Sequence, residues 1–86
     1  MSDIEKFNSD IATRNAALDA ISGRIAAATS EDDVIAAARD LGPELELAKA
    51  LARRHSQWAK QVMPLISRNG IVYNEGTRRL ERLLNG

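Results

Sequence analysis

Apolar residues recur at helical spacing along most of the chain, and no stretch alternates apolar and polar positions as a half-buried strand would. The pattern is clearest at the start. Ile4, Ile11, Leu18 and Ile25 fall at every seventh position, with Phe7, Arg14, Ile21 and Ala28 as their companions. Seven of these eight are apolar, which makes a narrow stripe with the geometry of a coiled-coil or bundle seam. Ser2 followed by Glu5 fits a capping box that starts a helix here. Arg14 interrupts the stripe. A guanidinium is costly to leave unpaired in a dry seam, and Asp10, one turn earlier, is the nearest partner in sequence. Gly23 lies off the stripe, where it weakens the helix and offers room for close packing.

Thr29-Ser30 closes this segment, and Ser30 with Asp33 caps a second helix whose first turn carries Glu31, Asp32 and Asp33. Val34, Ala38 and Leu41 give it a short apolar side. Gly42-Pro43 reads as punctuation, a helix end followed by a helix start. A third helix is predicted from Pro43 to about Ser67, with Leu51, His55, Trp58 and Val62 on one arc and Lys49, Arg53 and Lys60 on another. Pro64 predicts a kink or an early end. Arg68-Asn69-Gly70 reads as a stop, and Asn74 as the cap of a short last helix. The expected fold is all-α: one domain over residues 1–86, built on an antiparallel pair of long helices with a short connecting helix and a short C-terminal helix.

Composition changes this picture in one respect. The chain has 86 residues and is 44% hydrophobic, but fourteen of its residues are alanine and only three are aromatic. A domain this small buries little surface, so few large side chains leave a thin core. Self-association through Ile4, Phe7, Ile11, Leu18, Ile21 and Ile25 would supply the missing burial, and a homo-oligomer is expected.

The zero net charge hides an asymmetry. Residues 1–47 carry ten acids and four bases, and residues 48–86 carry two acids and eight bases, giving −6 and +6. The two halves either neutralise each other side by side, or the basic half meets an anionic partner. For the second case the candidate contacts are Lys49, Arg53, Arg54, Trp58, Lys60, Arg78, Arg79 and Arg82. Helix 4 would bring its arginines near the helix 3 stripe, and Arg54 would lie over the Trp58 indole one turn away.

Little points to catalysis. Without cysteine there is no disulfide, thiolate metal site or Cys nucleophile, and His55 is the single imidazole. It falls among apolar positions and reads as a buried or interfacial histidine. The five glycines are dispersed, so no phosphate-cradling loop exists, and Asp32-Asp33 is explained by the helix start. No cofactor, metal or catalytic residue is expected, nor is a membrane-spanning segment or signal peptide, and the default compartment is cytoplasmic. The expected function is a non-catalytic interaction protein (an adaptor, inhibitor, chaperone or assembly factor). Binding of nucleic acid or a phosphorylated small ligand through the basic half is the alternative.

Overall fold

The computed structural model describes residues 2–86. Among these there is no strand. Four α-helices, α1 Asp3–Ala27, α2 Glu31–Arg39, α3 Leu41–Arg54 and α4 Met63–Asn85, are joined with a 3-10 helix over Ser56–Gln61. The molecule is a small all-α bundle, elongated to 50 × 19 × 15 Å.

The start of α1 is set locally. The Ser2 hydroxyl oxygen accepts from the Glu5 amide at 3.3 Å, and the hydroxyl donates to the Glu5 carboxylate at 2.9 Å. Ser30 repeats the device for α2, accepting from the Asp33 amide at 3.2 Å. Each cap satisfies one of the four amides that a helix start leaves without a partner.

Helices α2 and α3 follow one another with only Asp40 between them, in a right-handed helical conformation with φ −75° and ψ −13°. Gly42 and Pro43 therefore lie in the first turn of α3 rather than marking a stop. Pro43 has no N–H to give the Arg39 carbonyl, which is where a continuous helix would lose a bond. The two helices together form one broken rod, 24 residues and roughly 36 Å long.

The last third departs from the sequence expectation. Helix α3 ends at Arg54, not near Ser67, and α4 runs unbroken through Arg68-Asn69-Gly70 and Asn74. Pro64 sits in the first turn of α4, where its missing N–H costs nothing. The C-terminal helix is thus long, and three rods of similar length make up the bundle.

Their directions follow from contacts. Phe7 meets His55, Arg14 meets Glu44 and Arg24 meets Asp40, so α1 and the α2–α3 rod are antiparallel. Arg68 reaches Asn15 and Asp19, Glu75 reaches Ser22 and Arg79 reaches Ala28, so α4 runs parallel to α1. The path is up, down, up.

The core lies along the axis between the rods. Phe7, Leu18, Ile21 and Ile25 of α1 pack with Ala37, Leu41, Ala48 and Leu51 of the middle rod and Val62, Leu65 and Val72 of the last segment. Full burial of a side chain such as Phe7 or Ile25 contributes about 1.5–3 kcal/mol. The close approach comes at Gly76, where an added Cβ would stand 3.5 Å from Ile25 Cδ1. Gly23, in contrast, faces open space and mediates no packing.

Candidate interaction surface

The α1 stripe is consumed inside the chain. Phe7, Leu18, Ile21 and Ile25 are buried against α3 and α4, and Ile11 packs at the edge of the same core. Only Ile4, 39% exposed near the free end of α1, remains outside. These residues cannot form a seam with a second copy unless the bundle opens. Arg14 is held by Glu44 rather than Asp10: its Nη1 donates to both carboxylate oxygens, at 2.8 and 2.9 Å. A carboxylate in the first turn of α3 therefore ties α1 to α3.

The eight candidate anion-binding residues do not gather in one place. Arg53, Arg54, Trp58 and Lys60 lie at the end of the bundle where α3 gives way to the 3-10 helix. Arg78, Arg79 and Arg82 lie at the opposite end, because α4 starts at Met63 and runs the length of α1. Lys49 is 3.5 Å from Glu46. Arg79 is used structurally, its Nη2 and Nε donating to the Ala28 carbonyl that closes α1, at 2.6 and 3.2 Å. Trp58 does not pair with Arg54. Its ring stacks on His55 at 5.4 Å and tilts over Phe7 at 5.1 Å. His55, the residue at which α3 ends, also meets Phe7 edge-on at 5.5 Å, and its Nε2 is buried with no hydrogen-bond partner. The three rings plug the end of the core, the structural role that the lone imidazole suggests.

An apolar groove between α2 and α4 was not among the sequence candidates. It encloses about 320 Å³ and is lined by Val34, Ile35, Ala38, Arg39, Tyr73, Gly76, Thr77 and Leu80. Ile35 and Tyr73 stand at its rim, 41% and 59% exposed. Gly76 gives the groove its depth, since a side chain there would fill the space between α4 and the α1–α2 layer. The sequence signal was the seven-residue spacing of Tyr73 and Leu80, with Gly76 and Thr77 between them, visible only when residues 63–85 are read as one helix.

No family model, curated protein or solved structure matches this chain.

The remaining chemistry is that of a packing surface. Among the described residues no group of three or more His, Cys, Asp or Glu side chains is placed to hold a metal ion. Among the described residues, too, no helix is long and apolar enough to cross a membrane. The polar side chains that meet across the bundle do so in pairs that join helices, and the groove offers shape and apolar surface with a single guanidinium, Arg39, at its edge.

Proposed function

We propose that this chain is a non-catalytic helical interaction protein, of the adaptor, inhibitor, chaperone or assembly-factor kind, that self-associates and binds another protein. The observation that carries this reading is the α2–α4 groove with exposed Ile35 and Tyr73 on its rim. An apolar cleft between two helices, with a polar surround, suits the apolar side of a third helix. The closed α1 stripe supports placing the working surface here, because Phe7, Leu18, Ile21 and Ile25 are already committed to the core.

Binding of nucleic acid or a phosphorylated ligand remains the alternative. The separation of Arg53, Arg54 and Lys60 from Arg78 and Arg82 by most of the bundle length weighs against a single phosphate-binding platform.

The test has two arms. Complexes with a foreign protein recovered by crosslinking from the source cell should be lost with Ile35→Glu and Tyr73→Glu and kept with Lys60→Gln. Labelled oligonucleotides and ATP should not bind the wild type at low salt. Binding that falls steeply with salt and disappears in Arg53→Gln/Lys60→Gln or Arg78→Gln/Arg82→Gln would replace this reading with the alternative.

A further inference from the structure

We infer that the α2–α4 side of the bundle is where two copies of this chain pair, antiparallel, about a two-fold axis near Gly42 and Gly70. The inference rests on the interaction reading above and names its partner as a second copy.

The charge pattern carries it. Along the outward side of the α2–α3 rod, Glu31, Arg39, Glu46 and Arg53 follow at steps of eight, seven and seven residues, all exposed. At about 100° per residue, a step of seven returns to within about 20° of the same side and a step of eight to within about 80°, so the four residues share one broad outward side. The order is therefore acid, base, acid, base. Reversed, it reads base, acid, base, acid, so the rod is complementary to itself only when the copies run antiparallel. An axis at Gly42 sets Glu31 opposite Arg53 and Arg39 opposite Glu46. Parallel stacking in register would put like charges together. Lys49 already lies 3.5 Å from Glu46, and in the pair it would share that carboxylate with the partner's Arg39.

Helix α4 adds the uncharged half of the same surface. From Met63 to Thr77 its only charged residues are Arg68 and Glu75, and both turn to α1, to Asn15 and Ser22 respectively. The outward side of this stretch, with Tyr73 and Gly70, carries no charge. A pair related by the same axis sets α4 against α4 with no like charges apposed. Gly42 and Gly70 are level with one another, since Asn69 is bonded to the Leu41 carbonyl, and a Cβ at either would meet nothing within 4 Å. Backbones can approach closely there. A self-complementary patch of this kind closes as an isologous dimer rather than a filament.

The experiment is sedimentation of the full chain across concentration, with circular dichroism to follow the fold. The wild type should form a dimer whose dissociation is complete on dilution. Tyr73→Glu should sediment as a monomer with unchanged helix content. Glu31→Arg and Arg53→Glu should each weaken the dimer about tenfold or more, and the double variant should recover most of the loss. A wild type that is monomeric at ~100 µM overturns the inference. So does a Tyr73→Glu variant that remains dimeric, or a double variant weaker than both singles. If the wild type is monomeric yet Tyr73→Glu still loses a crosslinked foreign protein, the interaction reading survives and only the self-pairing fails.

Discussion

Asn69 of α4 donates from Nδ2 to the carbonyl of Leu41 at 2.9 Å, joining positions 28 residues apart at the junction of α2 and α3. Asn69 is the one buried polar residue of the described chain, and its bond ties α4 to the first residue of α3. Asn69→Ala removes the donor, leaves a cavity and strands the carbonyl's second lone pair. The expected loss is about 1–3 kcal/mol, seen as a lower urea midpoint. Asn74→Ala, on the exposed side of the same helix, should change stability by less than about 0.5 kcal/mol.

The Arg14–Glu44 pair is shielded, with side-chain exposures of 22% and 16%, whereas Arg24–Asp40 is open at 49% and 56%. Both join α1 to the middle rod. A double-mutant cycle on Arg14 and Glu44 should give a coupling of about 1–3 kcal/mol, between the values for open and fully buried pairs. The same cycle on Arg24 and Asp40 should give about 0–1 kcal/mol. Equal couplings would show that the bundle does not exclude water from Arg14.

Gly23 and Gly70 lie within helices, exposed, with open space where a Cβ would be. Alanine at either should stabilise the single chain by about 0.5–1 kcal/mol, measured at concentrations where the dimer is dissociated, because the folded conformation already suits it. Thermal melts of Gly23→Ala, Gly70→Ala and the double variant should rise additively, the sites being far apart. A loss at Gly70 that appears only at dimer-forming concentrations would report the close approach of two copies there, and a loss at every concentration would mean that α4 does not run through this position.

Leu18 and Tyr73 separate the core from the working surface. Leu18 is buried at the centre of the bundle, so Leu18→Asp places a carboxylate in apolar surroundings and should cost several kcal/mol. A domain of this size has little reserve, and most of the helical circular dichroism should vanish. Tyr73→Glu should leave the spectrum and the melting temperature nearly unchanged.

How much of this was legible in the sequence depended on how local each signal was. The α1 helix could be read from Ser2, Glu5 and the seven-residue repeat, and α2 from Ser30 and Asp33, because caps and stripes act within a few residues. The end of α3 could not. His55 and Trp58 fit a helical arc, but the helix yields there to the packing of both rings on Phe7, a contact with the far end of the chain. Pro64 was informative as a helix start rather than a kink. At α4, Asn69-Gly70 resembles a stop, yet the roughly 1 kcal/mol that Gly70 costs a helix is offset by burial of Val72 and Leu65 and by the Asn69 bond. Reading a stop there and a new cap at Asn74 hid the groove, since it cut Tyr73 from Gly76, Thr77 and Leu80. The α1 stripe reads as a face that needs a cover, but a single helix pattern does not specify whether the cover comes from its own chain or from another copy.

The most direct test of the account is a two-dimensional amide NMR spectrum of the wild type followed through a dilution series. Pairing through the α2–α4 side gives concentration-dependent shifts at Ile35, Ala38, Gly42, Gly70, Tyr73 and Thr77, with Phe7, Leu18, Ile21 and Ile25 unmoved. Shifts concentrated on the α1 stripe, or no shifts at any concentration, would contradict it.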